Sequence, residues 1–244
     1  MNDTEITTLI LCGGKGTRAY PHTAEVPKPL MEVAGTPILR HVMQIYADQS
    51  HGRFVLAAGY RPDLVEEFAK TLPSSWKVDV VDTGEDTDKA KRIELCRQLL
   101  TPTFFVTYGD GVGNVSLDAL LWFHRSHGGS ATVTVVPLPS QYGTMEFDES
   151  ARVQRFREKP ILGDHWINAG FFVMNEDVFE SWCGDDLEGD VLPDLAEKGK
   201  LFAYRHQGFW KSMDTYKDSM DLSSLAEGPD GRPPWLRSPI NAPS

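Results

Sequence analysis

A short apolar run, Leu9-Ile10-Leu11-Cys12, opens directly into Gly13-Gly14-Lys15-Gly16-Thr17-Arg18, and Lys28 follows inside Pro27-Lys28-Pro29. Three glycines within four positions let backbone N–H groups turn toward one anion with no Cβ in the way. Lys15, Arg18 and Lys28 add cationic donors, so the guest that suits this loop is a nucleoside triphosphate. A second apolar run, Phe104-Phe105-Val106-Thr107, ends in Tyr108-Gly109-Asp110-Gly111. A carboxylate beside a triphosphate is repelled unless a divalent cation lies between them. Asp110 is therefore a candidate ligand of Mg²⁺, a hard cation that takes oxygen donors; the plainer alternative is an Asp-Gly turn. Two further segments, Arg157-Glu158-Lys159-Pro160 and Phe209-Trp210-Lys211-Ser212-Met213-Asp214, bring a second cation and a second carboxylate. Asn168 stands alone as a polar amide within Ile167-Asn168-Ala169-Gly170-Phe171-Phe172. Buried amides must be hydrogen-bonded, here to a sugar hydroxyl or to neighbouring backbone.

The elements that must carry these residues follow from periodicity. Apolar runs at 7–12, 53–58, 78–82 and 103–107 read as buried strands, separated by helical spacing over Ile38–Tyr46, Leu64–Phe68 and Ile93–Leu100. Alternation of this kind predicts an α/β fold, a Rossmann-like, mostly parallel sheet with helices on both faces. In such sheets ligands bind beyond the carboxyl ends of the strands, which places Asp110 on the same rim as the glycine loop. Ser116 is an expected N-cap for a helix to about His127, and 131–136 is a further strand. Beyond residue 140 the strands shorten, at 143–147, 153–157 and 166–174, and are expected to add antiparallel strands and an edge to the same sheet. Helical stretches near 177–182 and 190–198, a strand at 201–206 and a helix from Thr215 complete the reading. We expect one domain over 1–227 and a proline-rich tail over 228–244, too rich in proline for regular structure and read as an extended arm or a partly disordered segment.

Composition narrows the function. A chain of 244 residues with 41% hydrophobic content can bury the core of one large domain. The net charge of −11 argues against a general nucleic-acid binder, which needs a basic face. No run reaches the roughly 18 to 20 apolar residues of a membrane span, and the polar start Met1-Asn2-Asp3-Thr4-Glu5 lacks a signal-peptide layout. A cytoplasmic location is expected. Cys12, Cys96 and Cys183 have neither disulfide nor zinc spacing.

Taken together, Gly13-Gly14-Lys15-Gly16-Thr17-Arg18 with Pro27-Lys28-Pro29, Tyr108-Gly109-Asp110-Gly111, Glu158-Lys159-Pro160 and Phe209-Trp210-Lys211-Ser212-Met213-Asp214-Thr215 resemble, in order, the sugar-1-phosphate nucleotidyltransferases. The likeness covers about residues 7 to 226 and is closest to the glucose-1-phosphate cytidylyltransferase subgroup, on Val81-Asp82-Thr83-Gly84 and the Gly-Phe-Trp-x-x-Met-Asp-Thr string. It implies the nucleotide-diphospho-sugar transferase type of fold. It further implies that Leu11, Gly13, Gly14, Lys15, Gly16, Thr17, Arg18, Lys28, Thr83, Lys89 and Gly109 meet the nucleotide. Arg18, Lys28 and Asp110 are the implied catalytic residues, and Asp110 and Asp214 the implied Mg²⁺ ligands. Lys159 would grip the phosphate of the sugar substrate, with Glu158, Asn168 and the Gly143 backbone toward the sugar. The implied reaction joins a nucleoside triphosphate, most simply CTP, to a hexose 1-phosphate and releases pyrophosphate without a covalent enzyme intermediate. Relatives in this family commonly assemble, which makes a homo-oligomer an expectation.

The chain departs from the subgroup between Glu85 and Arg92, a shorter loop without a glycine pair, where Lys89 stands in the place of an Arg. An Arg fork gives two directed hydrogen bonds and Lys a point charge, so the choice of base among CTP, GTP, ATP and dTTP rests on this segment. Two rival classes are a nicotinamide-dependent Rossmann enzyme and a non-catalytic paralogue that binds nucleotide-sugar. The first would want Gly-x-Gly-x-x-Gly, and the chain has Ala19 at the last position, which that fingerprint does tolerate.

Overall fold

The computed structural model describes residues 5–20, 23–228 and 231–238, with Arg18 described by its backbone alone. In chain order the strands are β1 (Thr7–Leu11), β2 (Glu32–Val33), β3 (Thr36–Pro37), β4 (Arg53–Ala58), β5 (Lys77–Asp82), β6 (Thr103–Tyr108) and β7 (Gly111–Gly113). They continue with β8 (Ala131–Pro139), β9 (Thr144–Phe147), β10 (Val153–Arg157), β11 (Ile161–Asn175), β12 (Leu201–Arg205) and β13 (Trp210–Ser212). The helices are α1 (Ile38–Ala47), α2 (Pro62–Lys70), α3 (Lys89–Leu95), α4 (Leu117–His127), α5 (Leu192–Glu197) and α6 (Tyr216–Ala226).

Seven strands form one sheet in the order β12-β8-β11-β6-β1-β4-β5. β1 pairs in parallel with β4 and β6, β4 with β5 and β12 with β8, while the long β11 runs antiparallel to both β6 and β8. The sheet is thus parallel around β1 and mixed on its far side. Every residue of β1 is buried. Alternate side chains enter opposite faces: Ile10 packs with Phe54, Leu56 and Phe105, whereas Leu9 and Leu11 pack with Val55, Ala57, Phe104 and Val106. Two cores, one per face, hold the sheet. Because the chain moves outward from β1 through β4 to β5 and then returns to β6 on the other side, the crevice between β1 and β6 is the switch point of the topology. The glycine loop leaves β1 there, and Asp110 leaves β6.

The Ser116 hydroxyl accepts the Ala119 N–H as the expected N-cap of α4. Other expectations need correction. The helix expected to run to Leu100 stops at Leu95 and continues as a 3₁₀ turn over Arg97–Leu99. The stretches near 177–182 and 190–198 are helical as expected, the first as a 3₁₀ helix, Glu176–Ser181, and the second as a π turn, Leu187–Val191, leading into α5. β9 and β10 pair only with each other and stand off the main sheet, leaving Met145, Phe147, Val153 and Phe156 exposed. The tail, read as an extended arm or a partly disordered segment, is docked at Trp235. Trp235, in the 3₁₀ turn Pro234–Leu236, is fully buried, edge-on to His41 at 5.3 Å and tilted against Phe209 at 5.9 Å. One large indole anchors a segment that proline keeps from regular structure. Residues 229–230 and 239–244 lie outside the described residues. Among the described residues no helix is long and apolar enough to cross a membrane.

Candidate active site

A cavity of about 940 Å³ opens at the switch point. Its floor is the glycine loop, and two carboxylates converge on one ammonium at its mouth: Lys28 Nζ lies 2.6 Å from Asp110 Oδ2 and 2.9 Å from Asp214 Oδ1. Lys28 is buried between them, on a 3₁₀ turn set by Pro27 and Pro29. A short antiparallel clasp makes this convergence. β13 pairs with β7 so that Ser212 faces Gly111, and the next N–H, of Met213, donates to the Asp110 carbonyl at 2.9 Å. The Asn114 side chain secures the clasp by accepting the Phe209 N–H at 2.7 Å. The Ser212 hydroxyl donates to Asp214 Oδ2 at 3.3 Å. The Lys28 ammonium fills the space between the two acids, and among the described residues no group of three or more His, Cys, Asp or Glu side chains gathers as a ready-made metal cage; the two carboxylates offer the oxygen donors that a hard divalent ion takes when phosphate oxygens complete its shell.

Glycine is required at two points of the loop. Gly16 is left-handed (φ 65°), and a Cβ there would sit 2.6 Å from Lys28 Cβ, so the loop lies directly on the lysine stem. At Gly13 a Cβ would collide with the guanidinium of Arg92. That arginine was not foreseen as a site residue. It is buried, and its hydrogen bonds go to the carbonyls of Gly13, Ala58, Gly84 and Glu85 and to the Thr83 hydroxyl. Burial pulls its pKa down from the ordinary value, yet a guanidinium stays charged in proteins. Arg92 thus ties the glycine loop to the ends of β4 and β5 and fixes the start of the 83–88 loop. In the sequence it looked like one more charge in Lys89-Ala90-Lys91-Arg92; the only signal was its place beside Ile93 on the buried side of α3.

Of the residues singled out from sequence, Leu11, Gly13, Gly14, Lys15, Gly16, Thr17, Lys28, Lys89, Asp110, Asn168 and Asp214 line the cavity. Lys15 pairs with Glu85 at 2.7 Å and Asp86 at 3.1 Å across its rim. Thr83 is not on the wall: its buried hydroxyl donates to the Ala58 carbonyl at 2.6 Å and accepts from Arg92. Gly109 packs behind the wall between Pro29 and Cys12. Asn168 donates to the Tyr108 hydroxyl at 3.1 Å and accepts the Gly170 N–H at 2.7 Å. Gly143, Glu158 and Lys159 lie off the wall, Gly143 against the Phe156 ring and the other two exposed at the end of β10. Lys159 is held in the left-handed region (φ 44°), a strained conformation for a residue with a Cβ. The side chain of Arg18 lies outside the described residues. The structure adds wall residues that the sequence did not mark, among them Ser140 and Gln141 after β8, and Trp210, whose indole N–H donates to the Ala169 carbonyl at 2.7 Å. All three cysteines are free; burial pushes the Cys12 and Cys96 thiols up to about 12.

Residues 7–226 match the nucleotidyl transferase family, and the chain belongs to it. It is 37% identical over 242 residues to a protein of Bacillus subtilis (strain 168) named probable glucose-1-phosphate cytidylyltransferase, covering 89% of this chain and 94% of that one. It is 33% identical over 244 residues to the mannose-1-phosphate guanylyltransferase catalytic subunit beta of Xenopus tropicalis, covering 93% of this chain and 67% of that one. Among solved structures, HddC from Yersinia pseudotuberculosis superposes with a TM-score of 0.70 at 24% identity, over 90% of this chain and 98% of that chain, and shares the fold.

Proposed function

We propose that this chain joins a nucleoside triphosphate to a sugar 1-phosphate, giving a nucleotide-sugar and pyrophosphate, with CTP and a hexose 1-phosphate as the preferred pair and Mg²⁺ as the cofactor. The observation that carries this is the β7–β13 clasp, which brings Asp110 and Asp214 together over Lys28 at the mouth of the glycine loop. The reacting groups are all anionic, so catalysis needs alignment and charge neutralisation more than a nucleophile. One phosphate oxygen of the sugar substrate attacks the α-phosphorus in line, the bond to the β-phosphate oxygen breaks, and pyrophosphate carries that electron pair away. Asp110 and Asp214 would hold Mg²⁺, which supplies positive charge against the phosphate oxygens when bound. Lys28, buried on its proline-fixed turn, presents a positive charge to the departing phosphates, and Arg18 would share that work. Gly13, Gly14, Gly16 and Thr17 hold the triphosphate along the loop. Lys159 would take the sugar's phosphate, with Asn168 on the cavity wall and Glu158 and the Gly143 backbone beside the β9–β10 hairpin toward the sugar.

The likeness to a guanylyltransferase supports GTP as the second reading of the base. A matrix of CTP, GTP, ATP and dTTP against glucose, mannose and related 1-phosphates, read as Mg²⁺-dependent pyrophosphate release, names base and sugar together. We expect the highest turnover from CTP with a hexose 1-phosphate; no pyrophosphate from any pair overturns the reaction.

A further inference from the structure

We infer that Glu188, on the π turn Leu187–Val191, is a positioning residue that couples the nucleotide side of the site to its sugar side; this rests on the nucleotidyl-transfer reading above. One carboxylate oxygen, Oε1, takes two partners from two elements, the start of α3 and the end of β6. Lys89 Nζ, from the segment that departs from the cytidylyltransferase pattern, donates to it at 2.6 Å, and so does the hydroxyl of Tyr108 at the end of β6. The Lys89 ammonium also lies over the Tyr108 ring, 5.1 Å from its centre. Tyr108 in turn accepts from Asn168 Nδ2 at 3.1 Å, and Asn168 Oδ1 is held by the Gly170 N–H. The chain Lys89–Glu188–Tyr108–Asn168 is therefore continuous. Lys89, Tyr108 and Asn168 line the cavity, and the partly exposed Glu188 links the first two.

The direction of every bond in this chain is fixed. A carboxylate oxygen can only accept, so the Tyr108 hydroxyl donates to Glu188 while accepting from the Asn168 amide. The π turn is itself held: Asp186 Oδ1 accepts the N–H groups of Glu188 and Gly189 at 3.0 and 3.1 Å. The Asp185 carbonyl accepts the Ala90 N–H at 3.0 Å, so the turn is tied to the start of α3, beside Lys89. π turns within helical segments are frequent at functional sites. A nucleotide that draws Lys89 toward itself takes a donor from Glu188. The carboxylate then bears more fully on the Tyr108 O–H, and the polarised phenol becomes a better acceptor for Asn168, which fixes the amide that faces the sugar. Binding free energies are linked, so a sugar phosphate that orders Asn168 favours the nucleotide-bound position of Lys89 by the same factor.

Isothermal titration of glucose 1-phosphate into the whole protein in Mg²⁺, with and without saturating α,β-methylene CTP, tests this; if the matrix names another pair, its sugar phosphate and methylene analogue replace these. In the wild type the analogue should tighten sugar-phosphate binding at least about fivefold. In Glu188→Gln and in Tyr108→Phe that ratio should fall below about twofold, with the melting temperature recorded for each. A purely structural Glu188 would lower the melting temperature and leave the ratio alone. Wild-type coupling near one, or both variants keeping the wild-type ratio, overturns the inference while the reaction stands. A wild type that releases no pyrophosphate from any pair removes the reaction, and this inference with it.

Discussion

Arg92 is only 4% exposed and is satisfied entirely by main-chain carbonyls and one hydroxyl, whereas across the cavity the β9–β10 hairpin turns Phe147 (68% exposed) and Phe156 (59%) to solvent. The first side of the site is a piece of the core that reaches the cavity; the second, the hairpin, stands off the cavity lining and projects from the fold with few buried contacts of its own. Segments with few buried contacts open and shift at lower free-energy cost. A triphosphate is the same in every member of a substrate class and suits a wall that does not move. A sugar differs between substrates and suits a wall that can be remodelled without unsettling the fold.

The largest effect should come from the clasp that lies apart from both. Asp110→Asn and Asp214→Asn should each lower kcat by about 100-fold or more, with melting temperatures near that of the wild type, because each removes a proposed metal ligand and no core contact. Steady-state pyrophosphate release together with thermal melts checks this, and near-normal turnover would remove that carboxylate from the proposed pair. On the rigid wall, Arg92→Lys keeps the charge but loses the fork. It should raise KM for the nucleotide about tenfold and lower stability by about 2 kcal/mol in denaturant melts, leaving KM for the sugar phosphate unchanged. At the end of the projecting hairpin, Lys159→Ala should raise KM for the sugar phosphate alone. Lys159→Gly should lose the same charge yet gain about 0.5–1 kcal/mol of stability, since glycine adopts φ 44° without strain. If Arg92→Lys shifted both KM values equally, the division between the walls would fail.

The smallest effect is in pH. His41, His124, His127 and His206 are all held below the ordinary 6.5, chiefly by burial. The unfolded chain then takes up protons near pH 6.5 that the folded chain refuses, so stability is fully present above that pH and declines as pH falls below it. Melting temperatures taken from pH 7.5 to 5.5 should fall on the acid side; a flat profile would mean that these rings are protonated in the folded state.

Much of the rigid wall was legible in the sequence. Gly13-Gly14-Lys15-Gly16 follows a buried strand, and local spacing is enough to read a strand that opens into an anion loop. Asp110 was legible for the same reason. Arg92 was not, because its partners are carbonyls contributed by four separate positions, and backbone acceptors leave no trace in residue type. The clasp was also hidden: Gly111–Gly113 and Trp210–Ser212 are three-residue strands whose pairing joins segments about a hundred residues apart, and neither has a periodicity of its own. The β9–β10 hairpin was read correctly as strands and wrongly as a sheet edge, since alternation shows that a strand forms and not which partner it takes. Trp235 shows the converse, a proline-rich segment whose single aromatic residue decides its placement.

The contact between Lys28 and Asp214 spans 186 positions of the chain. The glycine loop belongs to local, early-synthesised segments, whereas its second acid arrives only when β13 docks on β7. Long-range pairings of this kind wait on the ordering of everything between them, although the entropic cost of the closure grows only slowly with length, about 0.6 kcal/mol per doubling. The two acids therefore share one site only in the completed fold: without the β7–β13 pairing, Asp214 would part from Asp110 and Lys28 while the glycine loop kept its place at the end of β1.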